Sequence, residues 1–143
     1  MKSILVMHGP NLNLLGEREP SIYGTMTLSR LNAQIRKEAK RRKLDVRFFQ
    51  SNAEGSLIDS LHKNRKWADG ILINPGAYSH YSYALHDAIV AVAKPAVEVH
   101  LSDIMKRETW RHVSVVAPAC KANFMGKGVL SYIEGLNWLA EHI

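Results

Sequence analysis

A doubly wound α/β fold is what this chain predicts, and three observations carry the prediction. Short apolar runs rich in β-branched residues alternate with segments whose apolar positions recur at helical spacing, the pattern of a parallel sheet covered on both faces. At 143 residues the chain is far too short for an eight-fold barrel, which leaves a flavodoxin-like five-stranded parallel sheet, order 2-1-3-4-5. In that order the polar residues that end the first, third and fourth runs become neighbours, at the switch point where such sheets bind ligands.

The strand segments are Ser3–His8, Asp45–Gln50, Gly70–Asn74, Ala96–His100 and Val113–Ala117. Between them, Leu28, Leu31, Ile35 and Ala39 mark one helical face. Leu57, Ile58 and Leu61 mark a second, beginning at a capping-box pattern formed by Ser51 and Glu54. Tyr81, Leu85, Ala88, Ile89 and Val92 mark a third, and Val129, Leu130, Ile133, Leu136 and Ala140 a fourth. Neither an internal repeat nor a linker-like change of composition interrupts the series, so residues 1–143 are expected to form one catalytic domain.

Composition narrows the function classes. Hydrophobic residues make up 46% and charged residues 22%, which is ordinary for a globular domain. No apolar run reaches the length of a membrane span, and the first residues enter a strand pattern without a signal-peptide layout. The single cysteine, Cys120, rules out an internal disulfide framework and fits a reducing, cytoplasmic setting. A net charge of +6 favours acidic ligands. Much of it lies in the Arg36–Lys43 run at a helix end, where cations complement the dipole and no aromatic residues interleave for base stacking; no nucleic-acid partner is expected.

The stretch from Gly9 to Gly24, GPNLNLLGEREPSIYG, leaves the first strand and is too rich in Gly, Pro and Asn for a helix. Loops of that length in small domains are usually functional. It carries Arg18 close before Tyr23. A free phenol has a pKa of about 10, and bringing it to about 7 takes about 4 kcal/mol. A guanidinium about 4 Å away supplies that at an effective dielectric near 20. Tyr23 therefore reads either as an activated base, with Arg18 and Arg107 as its cations, or as an amphipathic loop tyrosine.

His100 ends the buried-looking run Pro95–Val99, where it is a general acid or a hydrogen-bonded core histidine. The backbone amides of Leu101 and Ser102 that follow suit an anion cradle. Asn74 and His80 suit hydroxyl recognition, with Gly76 allowing a sharp turn between them, and Arg111 is either a clamp for a carboxylate or diol or a member of a surface salt bridge. Although His8, His80 and His100 all lie at strand ends, ligand spacing is missing, and no metal is expected. Phosphate-loop and dinucleotide signatures are absent, since Gly126-Lys127-Gly128 completes neither.

Five ordered strings, GPNLNLLGEREPSIYG, QSNAEGSLID, INPGAYSHYSYALHDA, VEVHLSDI and RETWRHVSVVAP, together resemble the type II 3-dehydroquinate dehydratases, the small dehydroquinases of the shikimate pathway. The resemblance implies a hydro-lyase that converts 3-dehydroquinate to 3-dehydroshikimate and needs no cofactor. It implies Tyr23 as proton acceptor, His100 as proton donor, Arg18 as transition-state stabiliser and Asn11 as the holder of a water against the enolate. Asn74, His80, Asp87 and Arg111 would bind substrate hydroxyls, with the Leu101 and Ser102 amides on the carboxylate. It further implies a homododecamer built from trimers. His8, His86 and Asp103 depart from the commonest residues of that family while flanking the matched positions. A non-catalytic flavodoxin-like module that binds a small anion in the same crevice is the alternative function.

Overall fold

The computed structural model describes residues 1–17, 21 and 25–143. Five parallel strands, β1 (Lys2–His8), β2 (Leu44–Gln50), β3 (Gly70–Asn74), β4 (Ala96–His100) and β5 (Ala122–Met125), form one sheet in the order β2-β1-β3-β4-β5. Among the described residues four helices, α1 (Leu28–Arg41), α2 (Glu54–Asn64), α3 (Tyr83–Val92) and α4 (Val129–His142), cover it. The expected architecture and strand order are borne out.

Side chains alternate between the faces of a strand, so each strand feeds two cores. Ile4, Val6, Leu72, Val97 and Val99 pack with Leu31, Ile35, Tyr132, Leu136 and Leu139 of α1 and α4. Leu5, Met7, Ile71 and Ile73 pack on the other side with Leu57 and Leu61 of α2, Leu85 and Ile89 of α3, and Val116. Central strands β1 and β3 are buried on both faces, which is why their sequences read as apolar runs rather than as alternation.

Several boundaries differ from the sequence reading. The fifth strand is Ala122–Met125, not Val113–Ala117. Valines favour strands, but here tertiary hydrogen bonds override that preference. Val115 N–H donates to Ser79 O, Val113 O accepts from the His80 ring, and Ser114 Oγ donates to Glu98. The place beside β4 is taken by Ala-Asn-Phe-Met, in register from Val97↔Ala122 to His100↔Met125. That string has no β-branched residue and a single strand-favouring one, Phe124, so its strand signal is weak.

The Ser51/Glu54 capping box does not form either. Ser51 Oγ accepts from Ala53 N–H at 3.0 Å, while the Glu54 carboxylate takes the Ser82 hydroxyl at 2.5 Å and so ties α2 to α3. Ser82 in turn caps α3 through Leu85 N–H, which leaves Tyr81 outside the helix and exposed. In α4 the buried line runs through Tyr132, Leu136 and Leu139, and Leu130 is exposed. At the end of α1 the basic run is a solvated helix terminus, with Arg41 paired to Glu38 at 2.5 Å and Arg42 to Glu141 at 3.5 Å. Among the described residues no helix is long and apolar enough to cross a membrane.

Glycine is required where the loops after β1 and β3 meet. Gly9 N–H donates to Asn74 O at 2.7 Å, and a Cβ on Gly9 would stand 2.5 Å from the Pro75 carbonyl. Backbone cannot retreat as a flexible side chain does, so Gly9→Ala should destabilise the fold by roughly 1–3 kcal/mol in urea titrations.

His8 ends β1 with no exposed surface, and burial pushes its pKa down to about 4, opposed by the weaker effect of its hydrogen bond to Asn32. The unfolded ring titrates near 6.5. Between those values the unfolded chain binds more protons than the folded one, so this contribution is fully present above pH 6.5 and is lost as pH falls towards 4. Chemical denaturation across that window should show a loss of about 3 kcal/mol, and His8→Gln should flatten it.

Candidate active site

A crevice opens at the carboxyl ends of β1, β3 and β4, the position that the strand order dictates. It holds about 580 Å³ of free space, its open mouth included. Asn11, Asn74, His80, His100, Leu101, Ser102, Arg107 and Arg111 all line it. The structure thus gathers seven of the residues singled out for the site, and Arg107 with them.

The fourth strand supplies the most tightly built element. Glu98 and His100 are two positions apart on β4, so both side chains leave the same face of the sheet. The His100 Nε2–H donates to Glu98 Oε2 at 2.6 Å, and the Ser114 hydroxyl donates to Glu98 Oε1 at 2.7 Å. Glu98 has no exposed surface, and His100 is buried but for one edge at the crevice. The carboxylate fixes the ring's orientation, leaves Nδ1 for the crevice and stabilises the imidazolium when the ring is protonated.

His80 lies beside this pair, its ring centroid 6.5 Å from that of His100 and nearly parallel to it. Its Nδ1–H donates to Val113 O at 2.7 Å. Burial holds its pKa below the ordinary imidazole value; the Val113 bond opposes this, the His100 and Arg111 charges add to it, and Glu98 opposes it. His80 is therefore neutral at pH 7, with Nε2 as a hydrogen-bond acceptor. Arg111 stacks its guanidinium 4.0 Å over the Trp110 ring and pairs with Glu108. Both contacts stiffen the arginine at the mouth of the crevice.

Asn11 sits in the left-handed region, at φ 69°, which asparagine tolerates better than most residues. Its N–H donates to Asn52 Oδ1 at 2.9 Å, and Gln50 Nε2 holds the same oxygen at 3.2 Å and Gly9 O at 3.2 Å. The first turn of the long loop is thereby tied to β2. Asn74 Oδ1 accepts from Gly76 N–H at 3.0 Å, and Gly76 takes φ +59°, the turn expected of it.

The model that describes the family Dehydroquinase class II matches residues 2–140. This chain belongs to the class II dehydroquinases. The 3-dehydroquinate dehydratase of Dictyoglomus turgidum is 54% identical over 136 residues, covering 95% of this chain and 94% of that relative. The type II dehydroquinase of Butyrivibrio crossotus superposes with a TM-score of 0.94 at 43% identity, over 96% of this chain and 97% of that one. That of Propionibacterium acnes gives a TM-score of 0.94 at 40% identity, over 99% and 97%.

Not every expected residue reaches the dehydroquinase crevice. Asp87 lies on the exposed side of α3, away from the lining. Arg18 and Tyr23 fall outside the described residues. Glu98 was missed by the sequence reading, although one acid two positions before a histidine in an apolar strand is a usable signal. Among the departures from the family pattern, Asp103 accepts from Met105 N–H at 3.0 Å and caps the turn after Ser102. Among the described residues no cluster of His, Cys, Asp or Glu could hold a metal ion. Burial, with Glu98 adding to it, pushes the Cys120 thiol up to about 12, which makes it a poor nucleophile.

Glu98→Gln keeps the shape but removes the carboxylate that holds the His100 Nε2–H. Turnover should fall by roughly 10²–10⁴-fold in steady-state assays, with near-ultraviolet circular dichroism unchanged.

Proposed function

We propose that this hydro-lyase converts 3-dehydroquinate to 3-dehydroshikimate and water, with Tyr23 as tyrosinate base and His100 as acid. The observation that carries the reading is the buried Glu98–His100 pair, whose free ring edge meets a crevice lined by neutral polar groups and arginines, in a chain of the class II dehydroquinase family. Tyr23 Oη takes a proton from C2, next to the C3 ketone, and the electron pair of that bond forms an enolate. Asn11 holds a water against the enolate oxygen, which is electrostatic stabilisation of developing charge. The enolate then collapses, the C1–O bond breaks, and His100 protonates the departing hydroxyl to release water.

Arg18, as the neighbouring cation, lowers the pKa of Tyr23 and so favours the tyrosinate. Asn74, His80 and Arg111 hold hydroxyls, while the amides of Leu101 and Ser102 receive the carboxylate. His80, neutral with an acceptor nitrogen, suits a hydroxyl better than a carboxylate. The charge of +6 steers an anionic substrate towards the crevice. No Schiff base forms and no cofactor enters. Asp87 belongs to substrate binding as well, and its exposed position on α3 suits the crevice of a neighbouring copy in a trimer-based dodecamer. The pathway is that of shikimate, in the cytoplasm.

The decisive experiment is spectroscopic. Purified protein mixed with 3-dehydroquinate alone should generate the conjugated enone absorbance of 3-dehydroshikimate. Tyr23→Phe and His100→Ala should each lower kcat by roughly 10²–10⁴-fold while the fold survives. Borohydride added with substrate should leave activity intact, whereas inactivation would rule out the scheme. Ligand affinity without dehydration, unaltered in Tyr23→Phe, would favour a non-catalytic binding module.

A further inference from the structure

Two adjacent residues of the crevice wall, Val113 and Ser114, reach the two histidines of the site. Val113 O accepts from the His80 ring at 2.7 Å, and the Ser114 hydroxyl donates to Glu98 Oε1 at 2.7 Å. The wall is itself fixed. Val115 N–H donates to Ser79 O at 2.7 Å, and Val116, with no exposed surface, packs in the core under α2 and α3. The His80 and His100 rings stand 15° from parallel, with centroids 6.5 Å apart.

A serine has one hydrogen to give, and here its direction is settled. Ala117 N–H can only donate, and it lies 3.0 Å from Ser114 Oγ, so that oxygen accepts there. The hydroxyl hydrogen is left for Glu98, whose carboxylate accepts. Glu98 Oε2 accepts from His100 Nε2–H at 2.6 Å, so each oxygen of a carboxylate with no exposed surface meets a donor. Ser114 is absent from the lining of the crevice and reaches it only through Glu98.

The second donor has a chemical consequence. When His100 holds the proton it is to donate, two arrangements of the Glu98–His100 pair carry the same total charge. In one, a carboxylate faces an imidazolium. In the other, the Nε2 proton has crossed to Oε2, and a neutral carboxyl faces a neutral ring. Only the imidazolium is an acid near neutral pH, able to release a proton through Nδ1 at the crevice. Burial favours the neutral arrangement, because it penalises both charges. A hydrogen bond donated to the carboxylate favours its charged form and opposes that crossing.

We propose that Ser114 is a positioning residue for the acid step, whose hydroxyl keeps Glu98 ionised and the Nε2 proton on the His100 ring. This deepens the functional reading above and rests on it for the identity of the acid.

Substitutions in the full chain that change the donor test the proposal. With 3-dehydroquinate, Ser114→Ala should lower kcat roughly 10–100-fold, the rate equivalent of one hydrogen bond to a charged group, with KM within about threefold. Ser114→Cys fills the space with a weak donor and should be slow as well, whereas Ser114→Thr keeps the hydroxyl and should return kcat to within about threefold of wild type. A merely structural role has a different signature, since a displaced wall would carry Val113 O and His80 with it and raise KM. An unchanged kcat in Ser114→Ala and Ser114→Cys, a KM raised as far as kcat falls, or a Ser114→Thr as slow as Ser114→Ala would each overturn the proposal. Should Ser114→Ala not fold, the cysteine and threonine variants decide. Long-range ¹H–¹⁵N spectra give a readout independent of turnover. On acidification His100 should carry protons on both nitrogens in the wild type, while in Ser114→Cys the Nε2 signal should move towards that of an unprotonated nitrogen. Identical ring spectra in the two proteins would overturn the proposal. A wild type that leaves 3-dehydroquinate unconverted would overturn the functional reading instead, and the ring spectra would still decide the role of Ser114.

Discussion

The close contact between the loops that leave β1 and β3 is the constraint on which the site depends. Gly9 N–H reaches Asn74 O at 2.7 Å, and the backbone at Gly9 passes so near Pro75 that no side chain fits between them. One connection then runs back to α1 on one face of the sheet, and the other runs through Gly76–His80 to α3 on the opposite face. The crevice is the space opened by that divergence. Its lining comes from segments far apart in the chain, among them Asn11, His80, His100 and Arg111.

Strand geometry also divides the polar work between the faces. His8 and Asn74 project to the side covered by α1 and α4, Glu98 and His100 to the side covered by α2 and α3. Burying such groups is costly unless each finds a partner, and each does. His8 is held by Asn32 and Tyr132, and Glu98 by His100 and Ser114. Two independently satisfied networks thus meet the crevice from opposite sides. Rigid support of this kind keeps donors and acceptors in place before a ligand arrives.

The segment from Leu101 to Lys121 shows what such a design asks of a connection. Read for propensity, its valines form a strand. In the fold they form a wall instead. Ser114 braces Glu98, Val113 O orients His80, Val115 N–H ties to Ser79, and Val116 closes the core under α2 and α3. Trp110 carries Arg111 at the mouth. The sheet is completed by a later and less apolar string, because the edge beside β4 needs backbone groups and little side-chain burial.

Alternation of apolar runs with helical periodicity determined the fold class, the strand order and the crevice's location, since these follow from which residues must be buried and how far the chain can reach. The ends of β1, β3 and β4 were legible for the same reason, and with them His80, His100, Asn74 and the turn at Gly76. What the sequence by itself did not determine was pairing. Glu98 with His100 and Ser114, Glu54 with Ser82 rather than Ser51, and His8 with Tyr132 are choices among polar partners. Only the packed structure makes them, because a hydrogen bond depends on separations of a few tenths of an ångström between residues up to 124 positions apart. The same holds for the fifth strand: β-propensity named the better candidate, and the tertiary hydrogen bonds of the crevice wall claimed it first.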